Sequence, residues 1–283
     1  MLRVGIGFAA TTLTSQGQLA RSFSSLNDAS LRLATARRIN RGSDDPAGLM
    51  ALESLRSELK ALDEAAESTS RAAALVHVAD SALGQASDLL VELRGHVISA
   101  ANGDLLGSES SAVQHAINLA LDALDRIGVT TRFGGHRVFD PPSATDVLVG
   151  PETLHTAHLE LIHLQSGSLG GDAGRLSDLR SGGSASLAAG DLERSLQIID
   201  SAQEQILQTR ARAGAFERYA LEASRTVAED TSIQLSAAAS LIGDADIALE
   251  HSRLVRSLIQ RDFGLRALAS LGQSQGLLGT LLA

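Results

Sequence analysis

The sequence predicts a mainly α protein: an elongated, antiparallel coiled-coil-like helical rod with a small β-hairpin-rich region at one end and helices at both termini. Three observations predict it. Apolar residues recur every seven positions in two long, separated stretches, the spacing that keeps one seam of a helix against a partner. Large rings are scarce, with six Phe, one Tyr and no Trp in 283 residues. A thick globular core normally draws on rings that bury roughly 150–250 Å² each, whereas Ala and Leu suit helices packed at close range. Finally, three of the four prolines fall between residues 128 and 189, so the long periodic stretches run without a break.

Residues 1–42 carry a thin stripe of Leu19, Phe23, Leu26 and Leu33. A lone helix with so narrow a face is marginal in water and needs a partner. At Arg41-Gly42-Ser43-Asp44-Asp45-Pro46 the chain stops and restarts. Gly42 is expected to end the first helix, an Asp or Ser to accept from free amides, and Pro46 to open the next. From there Leu55, Leu62, Thr69, Val76, Leu83, Leu90 and Val97 form one heptad series, and Ala72, Ala79, Ala86, Leu93 and Ala100 a second. They predict a helix from about 46 to 101, on the order of 80 Å long. Asn102-Gly103-Asp104 punctuates its end, and Val113, Ile117, Leu121 and Leu124 predict a shorter helix over about 108–127.

The β-rich middle follows, with runs such as Val147-Leu148-Val149 and 157–162 among Gly, Ser and Pro. The heptad returns in Leu192, Ile199, Ile206, Ala213, Ala220 and Val227, predicting a second long helix over 190–236. A last helix over about 245–275 carries Ile247, Leu254, Leu258, Leu265, Leu268 and Leu271, ahead of the apolar tail 277–282. The terminal helices meet only if the long helices pair antiparallel.

Composition excludes several functions. No apolar run approaches the ~20 residues of a membrane span. There is no Cys, so no disulfide, thiolate metal site or cysteine catalysis. Net charge is −9 with a single Lys, which argues against general nucleic-acid binding. The first residues show no basic segment followed by a long apolar core, so no ordinary secretory leader is expected.

The stretch 30–49 reads SLRLATARRINRGSDDPAGL, and it resembles bacterial flagellin. That family shares S-L-x-R-L-S/T-x-G-x-R-I-N-x-A-x-D-D-x-A-G-L, matched here at Leu33, Arg38, Ile39, Asn40, Asp44, Asp45, Ala47, Gly48 and Leu49, with Leu31 at a free position of the same stretch. Residues 210–218 resemble the family's R-A-x-L-G-A-x-x-N-R, and 242–248 its I-R-D-A-D-x-A, through Ile242, Asp244, Ala245, Asp246 and Ala248, with Ile247 at the free position. The sequence departs from the pattern at Ala36, where the family carries Gly, and at Arg218, which follows Glu217 where the family carries Asn. The middle is short, so large outer domains are missing.

The resemblance implies an inner core domain pairing 1–42 with 238–283, and a rod domain over 43–237 with 128–189 as its β-rich region. It implies a non-enzymatic structural subunit of the flagellar filament, exported through the flagellar type III apparatus and located outside the cell. Implied partners are copies of itself, an export chaperone at the C-terminal helix, and hook-associated and cap proteins. The assembly motif includes the residues above with Leu254, Leu258, Leu281 and Leu282. Ordering some 85 terminal residues costs about 1–2 kcal/mol each in backbone entropy. One thin helix pair offsets that poorly, so the ends are expected to fold on joining neighbouring copies. The alternatives are a hook–filament junction protein of the same plan, which shares a Ser-Asp-Asp-Pro segment, and a coiled-coil adaptor. The Arg-Ile-Asn triplet and Asp-Ala-Asp-Ile-Ala favour the filament.

No catalytic, cofactor or metal site is expected. Asp44 and Asp45 read as helix caps rather than an acid–base pair. Gly5-Ile6-Gly7-Phe8-Ala9-Ala10 has dinucleotide-fingerprint spacing but no preceding strand. His155, His158 and His163 with Glu160 sit in a hairpin, with 158 and 163 expected on opposite faces of a strand. Many flagellins present R-x-R-E-L-A-V to a Toll-like receptor. The aligned segment here is Glu92-Leu93-Arg94-Gly95-His96-Val97-Ile98, so weak recognition by that receptor is expected.

Overall fold

The computed structural model describes residues 2–102, 107–140, 144–148 and 156–282, with side chains described for 12–101, 108–140, 147 and 156–273. In chain order they form α1 (Leu2–Thr35), α2 (Pro46–Asn102), α3 (Gly107–Thr130), β1 (Arg132–Phe133), β2 (His136–Arg137), β3 (Ala144–Leu148), β4 (Thr156–Glu160), β5 (Gly170–Gly171), β6 (Gly174–Arg175), α4 (Leu192–Phe216), a π-helical turn (Glu217–Glu222), α5 (Ala223–Gly243) and α6 (Ile247–Leu282). The strands pair as three antiparallel two-stranded ladders, β1–β2, β3–β4 and β5–β6. The fold is mainly α. The chain divides into two compact units, 60–232 and 1–59 with 233–283, and both α2 and α5 contribute to each. The expected division fell at 42/43 and 237/238.

Within 60–232 the heptads of α2 are spent on burial. Leu62, Thr69, Val76, Leu83, Leu90 and Val97 are buried, as are Ala72, Ala79, Ala86 and Leu93. The small series lets α4 approach closely, and Ile198, Ile199, Ala202, Ile206, Thr209 and Ala213 fill the facing side. Polar ties fix the sense of the pairing. Arg94 meets Asp200 at 3.1 Å, Gln203 donates to Ser87 at 2.7 Å, and Arg210 donates to both Asp80 oxygens at 2.7 and 3.1 Å. As the number falls along α2 it rises along α4, so the helices are antiparallel.

The second heptad series does not run on as the sequence predicts. Ala220 is half-buried and Val227 is 65% exposed, while Leu221 and Ala228 are buried. The cause is the π turn at Glu217–Glu222, whose wider i→i+5 turn takes in one extra residue. Every apolar position after it shifts by one, so the seam passes from Ala213 to Leu221 and Ala228.

The middle segment is pinned to α3 and α4 by side chains that imitate backbone. Gln205 accepts from the Gly170 amide at 3.1 Å and donates to the same residue's carbonyl at 2.5 Å. Gln114 donates to the Leu179 carbonyl at 2.8 Å and accepts from the Leu187 amide at 2.9 Å. Asn118 makes the same two-way contact with Ser181. Asp125 accepts from the Ser166 amide and hydroxyl at 2.6 and 2.8 Å and from Arg180 at 2.7 Å. These satisfy the polar groups of a loop-rich stretch whose Leu164, Leu169, Leu176 and Leu179 enter the common core.

In the other unit α1 packs against α6. Among the described residues it buries little: Ser22, Ala29, Glu250 and Ser257, with Ile39 and Leu52 at the loop end.

Candidate assembly interface

The two loops of this unit close on each other as a clasp. Helix α1 ends at Thr35 because Ala36 turns to φ +55°, making it the one described non-Gly residue with positive φ. That is a left-handed helix stop normally given to Gly. The expected stop at Gly42 is corrected by six residues. Past Ala36 the backbone pairs with the α5–α6 loop: Arg37 bridges Asp244 antiparallel, Arg38 donates to the Gly243 carbonyl at 2.7 Å, and Ala245 donates to the Ala36 carbonyl at 3.0 Å.

Side chains finish the clasp. The Arg38 guanidinium donates through Nε and Nη2 to the Ile242 carbonyl, at 3.1 and 2.6 Å, satisfying a free acceptor at the end of α5. It also lies 3.5 Å from the Asp45 carboxylate. Asp45 accepts from the Gly48 amide at 2.9 Å and so caps α2. Asp44 accepts from the amides of Asn40 and Arg41, both at 2.9 Å. Those two bonds hold its carboxyl below the usual carboxylate range. Asn40 donates to the Arg37 carbonyl at 2.9 Å. Across the loop, Asp246 caps α6 by accepting from the Leu249 amide at 3.0 Å. Gly48 leaves no room for a side chain, since a Cβ there would meet the Asp45 carboxylate and Ile39.

Among the described residues, the outward side of the same unit carries bare apolar side chains between polar ones. Phe23, Val255, Ile259, Phe263 and Leu265 are exposed on α1 and α6, Phe263 by 68%, and Leu241 near the clasp by 87%. Leu19, Leu26, Leu31, Leu33, Leu254 and Leu258 are only half-buried, so large apolar side chains of both helices remain open to solvent.

Residues 8–143 match the family model for the bacterial flagellin N-terminal helical region, and residues 196–282 match that for the bacterial flagellin C-terminal helical region. The chain belongs to the bacterial flagellin family. It is similar to polar flagellin F of Vibrio parahaemolyticus, 24% identical over 78% of this chain and 56% of that protein. It is 29% identical to the B-type flagellin of Pseudomonas aeruginosa over 56% of this chain and 33% of that one. To the phase 1 flagellin of Salmonella naestved it is 27% identical, over 66% and 36% respectively. The chain therefore spans between about a third and just over half of these relatives' length. Among solved structures, FliC from Burkholderia pseudomallei aligns over 52% of this chain and 99% of its own, with 14% identity and a TM-score of 0.43.

The flagellin motif residues divide by position. Arg38, Ile39, Asn40, Asp44, Asp45, Gly48, Asp244 and Asp246 come together in the clasp. Leu31, Leu33, Leu254 and Leu258 lie half-buried on α1 and α6, Leu49 is half-buried on α2, and Ala47 and Ile247 are exposed. Leu281 is within α6, as is Leu282, but both side chains lie outside those described. Sequence reasoning missed Arg32, Glu250 and Arg253. Glu250 is 3% exposed, and its Oε1 faces Arg32 at 3.4 Å and Arg253 at 2.7 Å. The available signal was the spacing of Glu250, Ser257 and Gly264, seven apart on α6.

The remaining candidates fall elsewhere. Gly5–Ala10 lies inside helix α1, so no phosphate-binding turn forms there. Contrary to expectation, His163 is not on a strand, because β4 ends at Glu160; its Nδ1 instead meets the Phe139 carbonyl at 2.9 Å. Among the described residues no three His, Asp or Glu gather as a metal site, and His155 lies outside them. Among those residues, too, no helix is long and apolar enough to cross a membrane.

Proposed function

We propose that this chain is a structural subunit that polymerises into the bacterial flagellar filament, and that its work is assembly rather than catalysis. The observation that carries this reading is the set of exposed apolar side chains on α1 and α6, Phe23, Val255, Ile259 and Phe263, beside a seam whose buried described residues are only Ser22, Ala29, Glu250 and Ser257. Burial at about 25 cal/mol per Å² against several neighbours supplies what the helix pair lacks alone. Different copies meet different faces of the pair, which is the condition for an open, helical, head-to-tail polymer. On this reading 1–42 with 238–283 form the inner core domain and 43–237 the rod domain. Subunits are exported unfolded through the type III apparatus and end outside the cell.

Before export α6 offers a groove-binding chaperone the exposed stripe of Val255, Ile259 and Phe263, at i, i+4 and i+8. In the finished structure hook-associated and cap proteins meet the same terminal surfaces. Recognition by the Toll-like receptor is weak on this reading: Glu92 is engaged with His96 at 3.6 Å and Arg94 with Asp200. A reporter-cell assay showing potent activation refutes that part.

Electron microscopy of the purified chain after salting out tests the main proposal. Long tubes are expected; failure to form them under any salt favours the junction-protein alternative. Amide exchange adds a second test, with residues 12–35 expected to exchange fast in the monomer and slowly in the polymer.

A further inference from the structure

The seam between α1 and α6 repeats itself. On α1, Leu19, Ser22, Leu26 and Ala29 alternate large and small at heptad spacing, and on α6 Ser257 and Gly264 continue the small series. A helix whose pattern repeats every seven residues packs almost as well after sliding by seven. Its register must come from features that do not repeat.

Two such features exist, the clasp and the ion pair, and they agree with the packing of the seam. The clasp sets Ala36 beside Ala245, the ion pair sets Arg32 beside Glu250, and close packing sets Leu19 beside Gly264. All three pairs belong to one antiparallel register. A slide of seven would leave Glu250 opposite Ser25 or Ile39, neither of them basic. Arg21, the other basic residue of α1 between 12 and 35, is eleven positions from Arg32 and serves no heptad slide. Glu250 is also a poor stabiliser as built: Oε2 is buried with no hydrogen-bond partner. A buried, half-satisfied carboxylate contributes little net stability, and its best-attested use is fixing register.

We infer that Arg38 in the clasp and Glu250 beside it together set the register in which α1 lies along α6. Both act as positioning residues: they make no claim on a neighbouring copy, but decide which apolar side chains each copy presents.

The absence of Cys makes a direct test available. A Cβ at Gly264 would lie 3.9 Å from the Leu19 Cβ, inside the ~3.5–4.5 Å that a disulfide requires. In otherwise unchanged full-length polymer, Leu19→Cys with Gly264→Cys is expected to cross-link under mild oxidation. The pairs displaced by seven, Leu26→Cys or Thr12→Cys with Gly264→Cys, are not. Adding Arg38→Ala and Glu250→Leu should lower the 19–264 yield severalfold and raise a displaced pair. Full yield at 19–264 alone in that background overturns the inference. Should the double variant fail to assemble, Arg32→Glu replaces it. Two carboxylates then meet in the native register, and an undiminished 19–264 cross-link again overturns the inference. The inference leans on the filament reading only for its sample. An unchanged chain that never polymerises defeats that reading, while a 19–264 cross-link in the soluble chain still supports this one.

Discussion

The two units of this chain use the same heptad spacing for opposite ends. In 60–232 the repeat is filled by Leu, Ile and Val facing Ala, and the side chains vanish into a shared core with α3 and the β-rich segment. In 1–59 with 233–283 the inward positions hold Ser22, Ala29, Glu250 and Ser257, while Phe23, Val255 and Phe263 face outward. Periodicity states which face of a helix meets a partner. The size of the residues on it states whether that partner is enough.

The comparison is most sharply tested by substitutions whose effects should differ between units. Leu90→Ala removes a fully buried side chain from the core of 60–232 and is expected to cost about 2–5 kcal/mol, read from chemical denaturation of the full chain. A loss under 1 kcal/mol would mean that this core is as loosely filled as the seam of α1 and α6. Asp45→Ala removes the cap of α2 and the Arg38 contact, and should cost about 1 kcal/mol, with faster amide exchange at Gly48 as its local mark.

Ala36→Gly should act in the other direction. A left-handed Ala costs roughly 1 kcal/mol that Gly does not, so the variant should gain up to about that much, seen as slower exchange around the clasp. No gain would show that Ala36 relaxes out of the left-handed region in solution.

The Asp80–Arg210 pair is smaller again. Hydrogen bonding from Arg210 holds the Asp80 carboxyl below its ordinary range and raises Arg210 in turn. With the folded value depressed, the pair's contribution is present above the unfolded Asp value of about 3.9 and is lost as pH falls through the folded value. Both groups are more than a third exposed, so solvent screening keeps Asp80→Asn to under about 1 kcal/mol at neutral pH. Its acid-unfolding limb should be flatter than that of the unchanged chain. Smallest of all is Phe263→Ser, expected within about 0.5 kcal/mol for the monomer because the ring is exposed there, yet lowering polymer yield in a sedimentation assay. A large loss of monomer stability would place that ring in a core the chain builds by itself.

Much of the fold was legible because it rests on short-range spacing. The limits of α2, its two heptads, the Val113–Leu124 stripe of α3 and Pro46 as a first helical residue all follow from local rules. The π turn was not legible, since one extra residue at 217–222 leaves no mark in composition and shows only in the burial of Leu221 and Ala228. The early end of α1 was hidden for a similar reason. Gly42 has the ordinary signature of a helix stop, but the Asp44 carboxylate draws the Asn40 and Arg41 amides to itself, and the loop 242–245 takes the backbone beyond Ala36.

The sequence alone therefore determined the helices, their apolar faces as far as the π turn, and the family, because each depends on residues within a few turns of one another or on a linear motif. Only the tertiary structure decided that Arg38 caps α5, that Glu250 is buried, and that Gln205 and Gln114 stand in for missing strand partners. Those contacts join residues from 35 to more than 200 positions apart, and nothing in a local pattern says which distant carbonyl will need a donor. That is fixed only once helices have packed and the unpaired polar groups between them must be satisfied.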